Sequence, residues 1–279
     1  MTYRYIDFHQ SELSSSLTKL NQCVGCVQQC SLATKLHLNV KKTELIRFSS
    51  CFRAVEAMSL QPYQFLVEPK SEVRNLGVIL DSTLQMKSNI NAVCRSSCAA
   101  LRKIEKIRKF LDKPTTLRLI YAFLNSRLDY CNSLISGLPK TQIAKLQRIQ
   151  NSAARLVTLT KRRIHITPIL YDLHWLPVDK RITYKTLLLT YKAMNNLAPE
   201  YITELLTPYT QTHSLRSAFK NLLKVLKSTT ITYGSRAFTS AASTLWNALP
   251  DEIRNADSLQ LFKTQLKTHL FTESFAEFL

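Results

Sequence analysis

Three closely spaced cysteines are the first residues whose type and spacing could support chemistry. Cys23, Cys26 and Cys30 form a C-x2-C-x3-C pattern, and cysteine pairs of this kind bind zinc. A structural zinc site needs four ligands, usually from two such pairs, and the neighbouring sequence has no second pair. We therefore favour cysteines that pack on a helix face as small hydrophobic side chains. The pair Cys94 and Cys98, four residues apart, has the same interpretation, and no metal ligand is predicted.

The histidines and carboxylates do not form a recognisable catalytic group. His165 and His174 flank a turn that contains proline, but no Ser or Cys nearby lies in a glycine elbow that would make it a nucleophile, so packing or capping is favoured. Polymerases and nucleases hold two metal ions with clustered acids, and this sequence has no Asp-Asp pair. Asp81 follows a predicted strand and Asp129 ends a predicted helix, so both are expected to be caps or salt-bridge partners. No catalytic residue is predicted.

Positive charge is concentrated in the middle of the chain. Between Leu84 and Arg163, seventeen Lys and Arg against three Asp and Glu give a net charge of +14, out of +19 for all 279 residues. A localised positive field is typical of a surface that binds a polyanion. The commonest polyanion is a nucleic-acid backbone, because each neutralised phosphate releases condensed counterions.

Two predicted helices carry much of this charge on one face. At 100° per residue, residues 88–111 and 141–158 each place apolar side chains on one side and basic side chains on the other. Glu–Lys pairs four residues apart, which are typical of a merely solvated helix face, are almost absent. The predicted contact residues are Arg95, Arg102, Lys106 and Lys109 on the first helix and Lys145, Arg148 and Arg155 on the second.

The elements that must position these residues predict an α+β fold that is mainly α. Four glycines in the whole chain are too few for a barrel or sandwich with many tight turns. Residues 1–83 contain a helix at 13–36 and strands at 44–48, 63–67 and 73–80, with a turn at 69–72; the strands are expected to form a small antiparallel sheet. Residues 84–163 form a basic helical bundle, and residues 164–279 a mostly helical C-terminal region with helices at 180–194, 237–249 and 258–270.

The sequence also bounds the environment of the protein. No run of eighteen apolar residues is present, and the N-terminus has no apolar signal core, so no membrane span or membrane partner is expected. The seven cysteines are an odd number, which argues against a secreted disulfide framework. We expect an intracellular protein with reduced cysteines, in the nucleus or the cytoplasm.

Several segments, in order and spacing, resemble the C-terminal half of a reverse transcriptase from a LINE-type, non-LTR retrotransposon of the jockey-like clades. The resemblance extends over nearly all of the chain, from about residue 13 to residue 271. The segments are KLHLNVKKTE at 35–44, VRNLGVILD at 73–81, SRLDYCN at 126–132 with GLP at 137–139, HITP at 165–168 with LHWLPV at 173–178, YGSRAF at 233–238 and LWNALP at 245–250.

The resemblance implies a role for each part of the chain. Residues 1–83 would be a palm remnant with a hairpin like the primer grip, in which Lys42 lies near the phosphates of the incoming nucleotide and Leu76 and Gly77 support the primer end. Residues 84–163 would be the thumb, which closes on the template–primer duplex, and 164–279 a C-terminal extension. In the family the catalytic Asp-Asp pair, which binds magnesium, lies just before the point where this chain begins. The resemblance thus implies a fragment without its own cofactor.

The resulting hypothesis is a remnant of an RNA-directed DNA polymerase that binds RNA, DNA or an RNA–DNA hybrid through a basic thumb but is catalytically inactive. One alternative is a helical protein-interaction module in which the charge is incidental. Another is an active reverse transcriptase, either truncated as a gene model or borrowing its palm from another chain. No particular protein partner is indicated by the sequence.

Overall fold

The computed structural model describes residues 13–37, 39, 42–48, 69–209, 221–227 and 233–278. It is mainly helical with short strands, which confirms the predicted fold class. The chain forms two compact units, Met1–Asn89 and Ile90–Leu279. The predicted boundary at 83–84 lies close to the division between them, whereas the predicted boundary at 163–164 lies inside the second unit. The three-part division by role stays a prediction.

In its described residues, the first unit combines one long helix with two pairs of strands. Helix α1 is Leu13–Ala33, close to the predicted 13–36. The parallel pair is β1 (Leu45–Ile46) with β2 (Pro69–Lys70). The turn predicted at 69–72 was therefore wrong for Pro69 and Lys70, and also for Glu72, which begins the next strand. The antiparallel pair is β3 (Glu72–Asn75) with β4 (Val78–Asp81). The predicted strand at 63–67 lies outside the described residues.

A two-residue turn divides the segment whose composition predicts one strand at 73–80. Asn75 pairs with Val78, and the residues between them, Leu76 and Gly77, have φ of 45° and 89°. Positive φ at both central positions defines the type I′ turn, whose twist matches that of a two-stranded hairpin. Alternation alone did not reveal the turn, because leucine is rare at positive φ.

Asp81 holds the connection from β4 to helix α2 (Lys87–Ile107). Its Oδ1 accepts the backbone N–H of Thr83 at 3.2 Å and of Gln85 at 2.9 Å, and its Oδ2 accepts that of Met86 at 2.6 Å. These bonds stabilise a turn in which Met86 has a φ of 56°, a region that non-glycine residues rarely adopt. Asp81 was expected to be a cap or a salt-bridge partner; instead its carboxylate binds backbone N–H groups of the turn that precedes α2.

Beyond α2, the second unit is built from helices of very different lengths. A π-helical turn at Tyr121–Asn125 separates α3 from α4, so the helical bundle predicted for residues 84–163 contains an irregular turn. The other predicted helices are confirmed with shifts at their ends. The elements are α3 (Lys113–Ile120), α4 (Ser126–Asp129), α5 (Lys140–Thr158), α6 (Ile166–Asp172), α7 (Val178–Met194), α8 (Glu200–Thr203), α9 (Phe238–Asn247), α10 (Asp251–Arg254) and α11 (Leu259–Ser274).

One part of the second unit's core is formed by the apolar faces that the sequence predicts for the basic helices. Leu101 and Ile104 of α2 and Leu146 and Ile149 of α5 are all buried. Once these faces are removed from water, which stabilises each side chain by roughly 1.5–3 kcal/mol, the opposite faces must point outwards. The core therefore determines which way the basic faces of these two helices point.

Another part of the core lies among α7, α9 and α11. Tyr191 of α7 stacks on Phe262 of α11 at 4.2 Å between ring centroids, and Trp246 of α9 lies 6.0 Å from Phe262. All three are buried. The Tyr191 hydroxyl donates to the carbonyl of Ala256 at 2.8 Å, so its polar end is satisfied in the interior.

Two glutamines of α5 connect the basic helices to the C-terminal region. The buried Gln150 donates to the carbonyl of Leu176 at 2.8 Å. Gln147 accepts the backbone N–H of Val178, the first residue of α7, at 2.8 Å. These bonds satisfy backbone groups at the start of α7, which a helix leaves without partners of its own.

Candidate nucleic-acid interface

The predicted contact residues are divided between the two units. The first unit contains Lys42, Leu76 and Gly77, and all three are exposed. The backbone N–H of Lys42 donates to the carbonyl of Asn39 at 3.0 Å, and Leu76 and Gly77 form the tip of the β3–β4 hairpin. The second unit contains the seven basic residues: Arg95, Arg102, Lys106, Lys109, Lys145, Arg148 and Arg155.

The basic face of α2 is fully available to solvent. Arg95, Arg102 and Lys106 lie on the helix and are exposed; Lys109, in the 3-10 turn that follows α2, is exposed as well. Its Nζ lies 4.8 Å from the centroid of the Phe110 ring. These cations point outwards because the opposite face of the helix is buried. We name Arg95, Arg102, Lys106 and Lys109 the α2 stripe.

The basic residues of α5 are partly engaged within the protein. Arg148 is exposed, but Lys145 and Arg155 are half-buried. The Lys145 ammonium donates to Asn91 Oδ1 at 3.3 Å, and the Arg155 guanidinium donates through Nη2 to the carbonyl of Ile164 at 3.1 Å. On α5, therefore, Arg148 is the member of the predicted set that is most accessible to a ligand.

Arg108 is a basic residue of the central block that has a structural role. Its Nε donates to the carbonyl of Leu156 at 3.0 Å, its Nη2 to that of Val157 at 3.0 Å and its Nη1 to that of Leu111 at 2.7 Å. Carbonyls in the last turn of a helix lack partners within the helix, so the guanidinium caps the end of α5. The sequence gives no signal that separates Arg108 from Lys106 and Lys109.

The same contacts align α2 with α5. Asn91 meets Lys145 near the start of both helices, and Arg108 meets Leu156 near the end of both, so the helices run side by side in the same direction. At 100° per residue the α2 stripe lies within about 60° of Asn91 around its helix. On α5, Arg148 lies about 60° from Lys145. The two sets of cations thus border one seam.

Two of the three acidic residues of the central block are engaged in a cap and an ion pair, whereas the third, Glu105, lies within one turn of Arg102 and Lys109 and offsets part of their charge. Asp112 is the N-cap of α3, where it accepts the backbone N–H of Thr115 at 2.9 Å. Hydrogen bonds from Thr115 to the Asp112 carboxylate, from its side chain first and its backbone second, lower the pKa of Asp112. Asp129 forms an ion pair with Arg181 of α7, as its predicted salt-bridge role requires. Glu105, on α2, is the remaining acid and is exposed.

Comparison with known proteins finds no relative for this fold or this interface. Neither a protein-family model, nor a curated protein, nor a solved structure matches the chain. In the part of the chain that the structure describes, no helix is both long enough and apolar enough to span a membrane.

A cluster of three cations was missing from the predicted contact set. Lys161, Arg162 and Arg163 follow α5 and are all exposed. Arg155 and the carbonyl of Ile164 connect α5 to the end of this loop, so the cluster continues the basic surface beyond the helix. Three consecutive basic residues in the sequence were a sufficient signal for including them.

The described cysteines and histidines do not come together in a metal site. Cys23 is half-buried, whereas Cys26 and Cys30 are exposed, so the expectation that all three pack on a helix face was wrong for the last two. Among the described residues no three His, Cys, Asp or Glu side chains are grouped to hold a metal ion. His174 stacks on Phe271 at 5.6 Å, which confirms packing, while His165 is exposed and precedes α6.

Segments that are far apart in the sequence contact one another within the second unit. Asp129 of the SRLDYCN segment binds Arg181, and the indole N–H of Trp175, in the LHWLPV segment, donates to the Tyr121 hydroxyl at 2.9 Å.

The GLP and YGSRAF segments meet in the same way. A Cβ added to Gly137, which has a φ of 69°, would lie 2.6 Å from Cγ of Arg236. The positive φ favours glycine, and a larger residue here would displace the Arg236 side chain. Four of the segments that carry the resemblance thus contribute contacts between elements of this unit.

Proposed function

We propose that this chain is a nucleic-acid-binding remnant of an RNA-directed DNA polymerase from a LINE-type, non-LTR retrotransposon. Its proposed task is to hold a template–primer duplex against the seam between α2 and α5. The observation that carries this proposal is the α2 stripe, whose four cations are exposed in a block with a net charge of +14. The resemblance described above supports the polymerase origin.

The recognition would be electrostatic and independent of base sequence. From Arg95 to Lys106 the α2 stripe extends about 16 Å along the helix, a length over which a duplex carries roughly ten phosphate charges. Contacts to phosphates position a protein on a duplex without reading its sequence. A-form RNA–DNA hybrids are recognised in this way, through shape and backbone.

Catalysis by the chain alone is not part of the proposal. Phosphoryl transfer by polymerases requires metal ions held by clustered carboxylates, and the sequence contains no Asp-Asp pair. The carboxylates of Asp81 and Asp129 are committed to a turn and to an ion pair. A primer-extension assay with magnesium tests this directly. Extension by the isolated chain would overturn the proposed inactivity and favour a complete or complemented reverse transcriptase.

Binding is tested by fluorescence anisotropy with an RNA–DNA hybrid over a range of salt concentrations. We expect the logarithm of the association constant to fall linearly with the logarithm of salt, with a slope of about −0.9 for each phosphate contacted. The double variant Arg102→Glu/Lys106→Glu should reduce the steepness of that slope by about two. The matched control Lys224→Glu/Lys227→Glu reverses two exposed lysines outside the central block and should leave it unchanged.

A protein-interaction module is the second candidate function, favoured by a different surface. Leu197, Tyr201 and Leu205 lie close together around α8 and are each 44% or more exposed. Exposed apolar side chains that lie together mark interaction surfaces. If the chain does not bind the hybrid even at about 50 mM salt, where phosphate contacts are strong, this second candidate replaces the first.

A further inference from the structure

A cavity of about 370 Å³ opens in the second unit, and its lining includes no residue of the α2 stripe. Its walls come from the π-helical turn, α4, the connection between α6 and α7, α7 itself and α11. Small-molecule sites in proteins have volumes of about 300–1,000 Å³, so a ligand of moderate size would fit. The side chains that carry the argument are Tyr121, Asn132, Arg181, Tyr184, Lys185 and Lys267.

The lining of the cavity has an excess of positive charge. Arg181 forms an ion pair with Asp129, and its Nε donates to Oδ1 of that residue at 2.8 Å. The other two cations, Lys185 of α7 and Lys267 of α11, have no carboxylate within salt-bridge distance in the described chain. The four charged groups therefore leave a net charge of +2 facing the cavity. Such a site favours a ligand with one or two negative charges.

Aromatic side chains form other parts of the wall. The Tyr121 ring is held edge-on to Trp175, at 6.0 Å and 66°, and its hydroxyl accepts the indole N–H at 2.9 Å. Tyr184 of α7 is half-buried, and burial raises the pKa of its phenol, so this hydroxyl remains a neutral hydrogen-bonding group. Flat aromatic surfaces of this kind stack with planar rings of ligands, including nucleobases.

Asn132 provides an unpaired polar group at this site. Its side chain is 4% exposed, it lines the cavity, and its Oδ1 has no hydrogen-bond partner among the described residues. A buried polar atom without a partner destabilises the fold unless something satisfies it. Oδ1 itself is buried, so pairing with a ligand requires the amide to turn towards the cavity. Because Oδ1 has no partner, this turn breaks no hydrogen bond at that atom, and a ligand that offers a donor and an acceptor side by side would satisfy the amide.

We propose that this cavity binds an adenine nucleotide. Lys185 and Lys267 bind its phosphate, Tyr121 and Tyr184 contact the face of its base, and the Asn132 amide recognises adenine, whose adjacent N6 donor and N7 acceptor match an amide. The nucleotide is either a free mononucleotide or an unpaired nucleotide of a strand. The site shares no lining residue with the α2 stripe, so the proposal does not rest on duplex binding.

Isothermal titration calorimetry of the full chain with AMP, adenosine and inorganic phosphate tests the proposal. AMP should bind more tightly than either of its parts, because base and phosphate are bound together. Lys267→Glu should weaken AMP binding about tenfold. The matched control is Lys263→Glu, one turn earlier on α11 and outside the cavity lining, which should leave binding unchanged. Phosphate binding as tight as that of AMP, or equal effects of the two variants, would overturn the proposal.

The role of Asn132 is tested by base preference. Wild-type protein should bind AMP about tenfold more tightly than CMP, since one well-paired amide discriminates to about this degree. Asn132→Ala should bind the two equally, with a circular dichroism spectrum that shows an intact fold. If the variant does not fold, the comparison of AMP with CMP in the wild type decides; equal affinity there would contradict recognition of adenine.

A hexa-adenylate strand distinguishes the two sources of the nucleotide. A strand that binds more tightly than AMP, and loses that advantage in Lys267→Glu, identifies an unpaired nucleotide of a nucleic acid. Tighter binding of AMP identifies a free mononucleotide. If neither the strand nor AMP responds to Lys267→Glu, there is no nucleotide site in this cavity. Hybrid binding through the α2 stripe is measured separately, so its outcome does not decide this one.

Discussion

Helices α2 and α5 have the same sequence pattern but use their basic residues differently. Both bury an apolar face and carry cations on the other side. On α2 the cations Arg95, Arg102 and Lys106 are exposed. On α5, Lys145 and Arg155 donate to an asparagine of α2 and to a backbone carbonyl. An amphipathic pattern thus shows which way a side chain points, but not whether a neighbouring element binds it.

The difference follows from what lies next to each helix. The 3-10 turn after α2 places Arg108 against the last turn of α5, where carbonyls need donors. The loop after α5 turns back so that the carbonyl of Ile164 meets Arg155. Arg108 and Arg155, which reach such carbonyls, contribute to stability, whereas the exposed cations of the α2 stripe remain available for a ligand.

The largest expected effect in this comparison is the loss of Arg108. Arg108→Ala removes three hydrogen bonds and leaves carbonyls at the end of α5 without donors, so we expect the free energy of unfolding to fall by about 3 kcal/mol. Urea denaturation measures this. The control Lys106→Ala removes an exposed cation of the α2 stripe and should change stability by less than about 0.5 kcal/mol. Equal effects would mean that the two cations are not in different environments.

Reversal of charge on α2 should have the next largest effect, on binding instead of stability. Arg102→Glu/Lys106→Glu should weaken binding to an RNA–DNA hybrid by about 2 kcal/mol, roughly thirtyfold, with unfolding unchanged. Arg148→Glu on α5 should cost about 1 kcal/mol in the same anisotropy assay. If Arg148→Glu has the larger effect, the contact surface is centred on α5, and α5 instead of α2 provides the main cations for binding.

Arg155 should behave as a structural residue with a smaller effect. Its half-buried guanidinium donates to Ile164, so Arg155→Ala should lower the free energy of unfolding by about 1 kcal/mol. Arg148→Ala, seven residues earlier on the same side of α5, is the matched control and should be close to neutral in urea denaturation. An unchanged stability for Arg155→Ala would return this residue to the set that is free to bind nucleic acid.

The smallest expected effect is the pH dependence at Asp112, the acid that begins α3 beside these helices. Its hydrogen bonds with Thr115 lower its folded pKa below the ordinary value of 3.8. The stability it contributes is therefore fully present above that value and is lost as pH falls through the lower folded pKa. The difference in stability between wild type and Asp112→Ala should shrink between neutral pH and about pH 2. A constant difference would mean that the charge of Asp112 plays no part in capping.

Much of the helical fold was predictable because burial and periodicity act locally. Ile90, Leu101 and Ile104 share one side of α2 at 3.6 residues per turn, and all three are buried. The β3–β4 turn was missed from composition because Leu76 adopts a positive φ that its side chain disfavours. The pairing of Leu45 with Pro69 was missed because a parallel pair joins residues distant in sequence, which no local pattern reveals.

Of the two candidate sites, one was predictable from the sequence and the other was not. The α2 stripe was predicted from its spacing, since an exposed cation needs only a helix and a buried opposite face. The cavity lined by Asn132, Lys185 and Lys267 was not, because its residues come from separate helices whose packing brings them together. The ion pair of Asp129 with Arg181 was anticipated as a type of interaction but not as a particular pair.

The sequence by itself determined the concentration of positive charge and the faces of the helices on which it lies. Charge and hydrophobic periodicity are properties of neighbouring residues, so both can be derived from the sequence without knowledge of the fold. Only the tertiary structure decided which cations are free and which are bound. That choice depends on where helix ends and loops place their unpaired carbonyls, as Arg108 and Arg155 show, and the position of those groups is set by the packing of the whole unit.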